Sequence, residues 1–274
     1  FVGNGGEAAC DDGGAIALHN SSTAVITGSM FSANSATYGG AIYLKQGSEA
    51  TVVDCSITNN LAGQLGGGVY CEYSNLSLEN CTVSTNTANW RGGGIDSQHC
   101  TLTLSNCTIE GNMSAAGDGG GICHRESPDQ YSSLTNCTIS NNTSSYAGGG
   151  AYCANSALML SSCTISDNSA GNEGGGFATA TWSEIIPVFT DTIVCNNVPD
   201  QMYGAWEDAG SNTVADECPD DCTGDIDGNG EVGVDDVLAL LAAYQLNADG
   251  DCDGDGDTDV DDLLLLISNW GVCP

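Results

Sequence analysis

The sequence predicts an all-β fold, a parallel β-helix (β-solenoid) of about seven to eight coils, followed by a small α-helical module. Three observations support this. A glycine motif recurs at steps of 26, 27, 26, 27, 29 and 26 residues, a second motif ending in Asn keeps pace with it, and an acid-rich segment with two similar loops follows. We therefore divide the chain into a β-helix at residues 1–215 and a module at residues 216–274.

The glycine motif marks one corner of each predicted coil. Glycine adopts positive φ without steric cost, so it allows the chain to turn tightly. A hydrophobic residue follows the glycines, and we expect it to be buried. The copies begin at Gly13, Gly39, Gly66, Gly92, Gly119, Gly148 and Gly174.

The second motif has an apolar residue followed, after two positions, by Asn. Because the Asn recurs at one corner, we expect an inward-facing ladder in which each side-chain amide bonds to the next coil. Phe1-x-x-Asn4 looks like the tail of an eighth coil. The seven full copies are Phe31-x-x-Asn34, Ile57-x-x-Asn60, Val83-x-x-Asn86, Ile109-x-x-Asn112, Ile139-x-x-Asn142, Ile165-x-x-Asn168 and Ile193-x-x-Asn196.

A column of cysteines accompanies the second motif, two residues before its apolar member. We expect these thiols to pack as small apolar groups inside the solenoid, since five stacked cysteines cannot all form pairs. The column contains Cys55, Cys81, Cys107, Cys137 and Cys163, with Ser29 and Asp191 in that place at the two ends.

The segments between the motifs alternate between apolar and polar residues, for example at residues 50–55 and 102–107. Alternation with period two points one side chain inward and the next outward, as in a β-strand. A period of about 26 residues without a helical pattern therefore predicts coils of three short strands.

The charge balance excludes several classes of partner. The chain has 3 Lys and Arg residues against 36 Asp and Glu, a net charge of −33. Phosphate binding needs clustered basic residues, so the composition argues against nucleic acid and against anionic membrane surfaces. No apolar stretch reaches the ~18 residues of a spanning helix, and we expect no membrane insertion. The 15 cysteines indicate an oxidising compartment and hence a secreted, extracellular or cell-surface protein.

The paired motifs resemble the repeats of polymorphic outer membrane proteins, whose signatures are GGA[ILV] and FxxN. The segments 13–16, 39–42 and 31–34 match these signatures literally, and the resemblance covers about residues 1–197. It implies a right-handed β-helix that is displayed on a surface and used in adhesion.

Two twelve-residue loops in the acidic segment have the spacing of calcium ligands. They span residues 225–236 and 251–262, with side-chain oxygens at positions 1, 3, 5 and 12 and Gly at position 6. Calcium takes about 6–8 oxygen ligands, one of them the backbone carbonyl of position 7. An apolar helix is predicted after each loop, at residues 237–244 and 263–270. We predict two calcium ions, held by Asp225, Asp227, Asn229, Glu231 and Asp236, and by Asp251, Asp253, Asp255, Asp257 and Asp262.

Residues 219–274 resemble type I dockerins, because position 12 of each loop is Asp and no helix precedes the first loop. The cysteine before the first loop and the ending Trp270-Gly271-Val272-Cys273 are similar to the GC-type variant. The resemblance implies a module that calcium folds and that docks onto a cohesin. A disulfide between Cys222 and Cys273 is expected, since these cysteines bracket the module.

The partner of this module has two interpretations. Positions 10 and 11 of the loops, which set cohesin choice in dockerins, are Val234-Asp235 and Val260-Asp261 instead of the common Ser-Thr pair. The module therefore either docks onto a cohesin-like protein or forms a calcium-stabilised cap or joint between copies.

A polysaccharide lyase or glycoside hydrolase of the pectin-lyase-like fold is the alternative function. A lyase needs a calcium-binding carboxylate cluster and a basic residue, and a hydrolase needs paired carboxylates. Alternation places His124 inward and Asp96 outward between Tyr70 and Cys123, with no second carboxylate in its column. We therefore expect no catalytic residues and no enzyme activity. The candidates are Arg91, Asp96, His99, Asp118, His124, Arg125 and Glu126.

The sequence thus favours a structural or adhesive protein, with another copy of itself, a cohesin-like protein or a surface polysaccharide as partner. Tyr43, Tyr70 and Tyr152 point outward, and we expect them to form a lateral aromatic ladder, the alternative being stacking on sugars. The sequence enters a coil midway at Phe1, which indicates either a longer protein or an open end that receives another copy. Joining of the second kind is head to tail and yields a fibre.

Overall fold

The computed structural model describes residues 1–4, 10–218, 224, 226, 231–244, 250–252, 258–268 and 270–272. The chain forms two compact units, Phe1–Cys218 and Pro219–Pro274. The first unit is a right-handed β-solenoid of about seven turns, and two short helices lie in the second unit.

Most coils of the solenoid contribute four short strands, one more than predicted, and equivalent strands of successive coils pair in parallel. The extra strand arises because a residue with positive φ bends the predicted single strand into two. Gln46, Tyr73 and His99 occupy this bend, with φ values of 60°, 47° and 53°. The pattern does not reveal such a bend, since Gln and Tyr seldom adopt positive φ and only His, of these three residue types, is enriched there.

Two stacks of strands lie on either side of this bend, and we name them the glycine stack and the alternating stack. Two long strands, Ile122–Thr135 and Ala151–Ser161, run through both and join them into one sheet. The glycine stack also contains Ile16–Leu18, Ile42–Lys45, Val69–Glu72, Ile95–Gln98, Phe177–Thr179 and Met202–Tyr203. The alternating stack also contains Thr23–Thr27, Glu49–Val53, Asn75–Glu79, Thr101–Ser105, Val188–Thr190 and Glu207–Asp208.

The other two stacks form a sheet each and complete the coil, and we name them the ladder stack and the corner stack. The ladder stack carries the apolar residue of the second motif, and the corner stack leads into the glycine corner. The ladder stack contains Met30–Ser32, Ser56–Thr58, Thr82–Ser84, Thr108–Glu110, Thr138–Ser140, Thr164–Ser166, Ile193–Cys195 and Thr213–Ala215. The corner stack contains Cys10–Asp12, Ser35–Tyr38, Leu61–Leu65, Thr87–Ala88, Met113–Ser114, Thr143–Ser144 and Ser169–Ala170.

The glycine corners explain why glycine recurs there. Gly66 has φ +63°, and a Cβ on Gly67 would lie 2.1 Å from the carbonyl oxygen of Gly93 in the next coil. The first glycine therefore supplies the left-handed turn and the second allows the close approach of coils. The hydrophobic residue after the corner is buried in the six later coils, as predicted, whereas Ile16 in the first coil is half-buried.

The predicted ladder of asparagines is confirmed as a buried column inside the solenoid. The Oδ1 atom of Asn112 accepts the backbone N–H and the Nδ2 amide of Asn86, both at 3.0 Å. The Asn86 Nδ2 also donates to the Ile57 carbonyl at 2.8 Å, which ties the ladder to the preceding coil. Asn4 continues the ladder, because its N–H donates to Asn34 Oδ1 at 3.2 Å.

The last step of the ladder was predicted in the wrong register. Asn197, and not Asn196, accepts the Asn168 backbone N–H at 2.9 Å, and Val194, not Ile193, pairs with Ile165. Asn196 adopts φ 53° and faces solvent. Ile193-Val194 and Asn196-Asn197 fit the motif in either register, so the sequence alone cannot choose between them.

The cysteine column is buried, and it is also a second hydrogen-bonding ladder. The Cys55 sulfur accepts the Ser29 N–H at 3.3 Å, while its thiol donates to the Val53 carbonyl at 3.1 Å. The later cysteines repeat this arrangement. At the C-terminal end Thr192, and not Asp191, occupies the column, and its Oγ1 accepts the Cys163 N–H at 3.3 Å.

Nine cysteines are buried thiols: Cys55, Cys71, Cys81, Cys100, Cys107, Cys123, Cys137, Cys153 and Cys163. Burial raises the pKa of Cys123 and raises that of Cys153 to about 12, so these two thiols stay protonated at neutral pH. We expect these nine thiols to react with Ellman's reagent only at the rate of unfolding, and all to react in guanidinium without reductant. Cys252 is half-buried and does not belong to this set, so the modified residues are located by peptide mapping. Rapid modification of any of the nine in the native protein would contradict their burial, and missing thiols among them in guanidinium would reveal disulfides.

A disulfide joins Cys195 and Cys218 at the end of the first unit. The predicted Cys222–Cys273 pair lies outside the described residues.

The second unit contains helix α1, Val234–Ala243, and helix α2, Val260–Ser268. Both helices begin three residues before the predicted positions, inside the loops. An antiparallel strand pair, Glu231–Val232 with Gly271–Val272, accompanies them, and Val232, Leu240 and Leu266 form the buried core. Within the described residues, neither helix has the length and apolar character needed to cross a membrane.

Candidate functional site

The position-12 carboxylate of the first loop is held by the loop backbone. Asp236 is buried, and its Oδ1 accepts the Ile226 N–H at 2.7 Å while its Oδ2 accepts the Gly233 N–H at 2.8 Å. These donors stand at positions 2 and 9 of the loop. The second contact also places a carboxylate at the N-terminus of α1, where the helix dipole favours negative charge.

The second loop repeats the arrangement of the first. Asp262 is buried, and it accepts the Cys252 and Asp259 N–H groups, both at 2.6 Å. The donors again stand at positions 2 and 9. The residues at positions 2 and 9 differ between the two loops. Both loops nevertheless hold their position-12 carboxylate in the same way.

The donor set of these loops fits a calcium ion. A carboxylate oxygen has two lone pairs, so it can accept an N–H and bind a cation at the same time. Calcium takes oxygen ligands, and a carboxylate fixed by two N–H groups needs little further ordering. The second-loop residue Asp251 is half-buried at position 1. Asp236 and Asp262, with Asp251, would hold the ions and supply negative charge to them.

The other predicted ligands cannot be placed. Among the described residues, no group of three His, Cys, Asp or Glu side chains is arranged to hold a metal. The Glu231 backbone lies in a strand. Asp225, Asp227, Asn229, Asp253, Asp255 and Asp257 lie outside the described residues.

A second cluster of charged groups lies in the solenoid, beside the glycine corners of coils four and five. Asp96 is 0% exposed and Arg91 is 8% exposed, with 3.7 Å between Arg91 Nε and Asp96 Oδ2. The Arg91 guanidinium also lies 4.5 Å from the centre of the Trp90 ring. Asp118, which directly precedes the corner glycine Gly119, is close enough to interact electrostatically with Asp96, so a second carboxylate is present although none stands in the column of Asp96.

Burial dominates the electrostatics of this cluster. Desolvation raises the pKa of Asp96 to about 7, Arg91 opposes this change, and the charge of Asp118 adds to it. Burial also raises the pKa of Asp118. An ion pair that is not closely hydrogen-bonded recovers little of its desolvation cost, so the cluster lowers the stability of the first unit at neutral pH.

Ionisation of Asp96 should therefore destabilise the first unit as the pH rises. Its folded pKa of about 7 exceeds the ordinary value of 3.8. Protonation of Asp96 therefore stabilises the folded first unit fully below about pH 4, and this stabilisation is lost as the pH rises through 7. This difference corresponds to roughly 4 kcal/mol. We expect the free energy of unfolding to fall less across this range in Asp96→Asn than in the wild type, as measured by denaturant titration.

The matched control for this measurement is Asp11→Asn, because Asp11 is exposed. Its stability profile should follow that of the wild type. Parallel profiles for Asp96→Asn and the wild type would contradict a buried, titrating Asp96.

The remaining catalytic candidates are not gathered into one site. His124 is buried inside the solenoid as predicted, where Nδ1 lies 3.2 Å from Ser97 Oγ and burial lowers its pKa to about 4. His99 stacks on Tyr73 at the bend of the coil, with 4.4 Å between ring centres. Arg125 and Glu126 also lie near the bend, away from the glycine corner, and Glu126 accepts the Asn155 amide at 3.3 Å.

The outward tyrosines form the expected ladder only in part. Tyr43 and Tyr70 are buried and stacked, with 5.3 Å between ring centres. Tyr152 stands in the same column, but Asp96 and Cys123 separate it from Tyr70. The ring faces that Tyr43 and Tyr70 turn toward each other are therefore covered. Tyr152 does not take part in this stacking.

Residues 7–124 match the family model described as the right-handed beta helix region. Comparison with curated proteins and with solved structures gives no match. The family model covers the first four coils and part of the fifth, while the Asn ladder continues to Asn197 and the parallel strands continue to Ala215. The first unit of the chain is thus a right-handed parallel β-helix.

Proposed function

We propose that the protein is an extracellular structural or adhesive β-solenoid whose C-terminal module docks onto another protein when calcium is bound. The solenoid serves as a rigid support, since its interior is crossed by two continuous hydrogen-bonded ladders. The module supplies the attachment. Its partner is either a cohesin-like protein or another copy of this chain, and a copy would produce head-to-tail fibres.

The observation that carries this proposal is an apolar stripe that occurs on both helices of the second unit. On α1 the stripe consists of Val234, Leu238 and Leu241, and their exposed fractions lie between 53% and 63%. The spacing of four and three residues places all three on one face of the helix.

Helix α2 repeats the stripe at the same positions relative to its loop. Val260, Leu264 and Ile267 are between 52% and 60% exposed. A small unit that leaves six large apolar side chains in water loses hydrophobic stabilisation, and such surfaces mark sites of protein interaction. Each stripe begins at loop position 10, two residues before the position-12 carboxylate, which links docking to calcium.

Assembly can be tested with the full chain by negative-stain microscopy and light scattering, in calcium and then in EDTA. We expect oligomers or fibres in calcium, and monomers in EDTA. The double variant Leu238→Glu/Leu264→Glu should stay monomeric in calcium, while the control Met113→Glu, on an exposed solenoid position, should assemble. Monomers of the wild type in both conditions would reject joining of copies.

A cohesin-like partner is tested separately, by binding of the full chain to an immobilised type I cohesin in calcium. Binding that the Leu238→Glu/Leu264→Glu variant loses would support docking onto this partner. If the wild type neither assembles nor binds the cohesin, the docking proposal is wrong.

Polysaccharide cleavage is the second candidate, favoured by the cluster of Arg91, Asp96 and Asp118. A buried carboxylate with a pKa of about 7 beside an arginine is typical of catalytic sites. However, Asp96 is 0% exposed, so a polysaccharide cannot reach it without movement of the corner. We expect no unsaturated products from polygalacturonate or alginate, and products that disappear in Arg91→Ala or Arg125→Ala would establish an enzyme.

A further inference from the structure

A pocket of about 190 Å³ lies beside the glycine corners of the last coils. In several earlier coils the corresponding outward positions hold large side chains, such as Tyr70 in the glycine stack and Arg91 before the corner. Ala147 stands before the corner in coil six, and Ala178 stands in the glycine stack in coil seven. The two small residues leave the space that the pocket occupies.

Aromatic side chains form the walls of this pocket. Tyr146, Tyr152, Trp182 and Tyr203 all line it, and Tyr146 and Trp182 are more than half exposed. Within the described residues, none of the four rings is stacked on another aromatic ring. No other aromatic ring of the described residues thus competes with a ligand for their π-faces.

The one charged side chain lining the pocket is Glu173. Tyr203 interacts with this carboxylate, whose hydrogen bonding and charge raise the pKa of the Tyr203 hydroxyl. No basic side chain of the described residues forms an ion pair with Glu173. Lys45 pairs with Glu72 and Arg91 with Asp96, and the third basic residue of the chain is Arg125.

We propose that this pocket binds an organic ammonium group, with a methylated ammonium as the best fit. Such a cation is attracted to the faces of Trp and Tyr rings, and its charge is neutralised by the carboxylate. The net charge of −33 also favours cations over anions. The same features exclude carboxylated ligands such as uronic acids, which Glu173 would repel. This site is independent of the module and of its docking.

Choline is a suitable probe, and 3,3-dimethylbutan-1-ol is its uncharged counterpart of the same shape. Titration calorimetry of the full chain at low ionic strength should show saturable choline binding that salt weakens. The alcohol should bind at least roughly tenfold more weakly, because it lacks the cation–π and carboxylate interactions. Equal binding of the two compounds, or no saturable response to choline, would overturn the proposal.

Variants of the pocket test the roles of its residues. Glu173→Gln and Trp182→Ala should each weaken choline binding by roughly tenfold. Tyr146→Ala should weaken it as well, whereas the controls Tyr131→Ala and Glu110→Gln, on exposed positions elsewhere in the solenoid, should bind as the wild type does. Unaltered thermal unfolding shows that the variants are folded. Full choline affinity in folded Glu173→Gln and Trp182→Ala would refute this assignment of the pocket.

Discussion

Replacement of Asn112 by Ala should lower the free energy of unfolding of the first unit by roughly 3–5 kcal/mol. The Asn112 side chain accepts two hydrogen bonds from Asn86, and its Nδ2 donates to the Val83 carbonyl at 2.8 Å and to Asn142 Oδ1 at 3.0 Å. The variant loses all four bonds and leaves the Asn86 N–H without its acceptor in a buried position. Denaturant titration measures the loss.

The matched control is Asn75→Ala, because Asn75 is exposed in a strand of the same solenoid. Its effect should remain within about 0.5 kcal/mol. If Asn112→Ala lost no more stability than this control, the ladder would not be the stabilising feature that its hydrogen bonds indicate.

Removal of calcium should unfold the second unit and leave the solenoid folded. From Asp216 onward the chain has 17 acidic residues and no Lys, Arg or His, so mutual repulsion opposes folding until cations bind. Calcium at about a thousandfold excess over its dissociation constant would contribute about 4 kcal/mol. In EDTA we expect loss of hydrogen-exchange protection in α1 and α2, while the amides of the Asn ladder stay protected.

Variants separate this effect from general charge repulsion. Asp236→Ala and Asp262→Ala should each lose protection even in calcium, since each removes a position-12 carboxylate. Asp235→Ala and Asp261→Ala, one residue earlier and exposed, should keep it. Protection that persists in EDTA would show that the second unit folds without calcium.

Much of the solenoid could be predicted because its repeats constrain one another. The glycine steps indicate the corners, and the Asn steps indicate the ladder, so a shift of one copy would break both patterns. At the last coil this constraint does not fix the register. Ile193 and Val194 are both apolar, and Asn196 and Asn197 can each supply the Asn of the motif. The bend at Gln46, Tyr73 and His99 was missed because Gln and Tyr seldom adopt positive φ, and a single His does not form a repeated pattern.

The residues of the charged cluster were among the candidates in the sequence, but their approach to one another and the pocket could not be predicted, since both arise where segments of the chain meet at a corner. Asp96 and Asp118 belong to different columns, and only the folded corner brings them together with Arg91. The signal for the pocket was present as two alanines, Ala147 and Ala178, at positions that hold larger residues in several other coils, such as Arg91 and Tyr70. These two alanines indicate a pocket only when their two columns are known to lie beside each other in the folded chain.

In the proposed function, the apolar stripes of α1 and α2 connect the predicted calcium loops to attachment. A loop that holds its carboxylate at the start of a helix also orients that helix, and each helix carries three exposed apolar residues at the same loop-relative positions. Removal of calcium would therefore abolish docking even if every residue of the stripe were intact. This dependence distinguishes a calcium-dependent module from a surface that binds other proteins whether or not calcium is present.

The number of calcium ions bound by the intact chain tests the central claim most directly. Native mass spectrometry of EDTA-stripped protein, titrated with calcium, should show two bound ions. Asp236→Ala and Asp262→Ala should each bind one fewer, and Asp235→Ala should bind two. A wild-type chain that binds no calcium, or position-12 variants that bind as many ions as the wild type, would contradict the account.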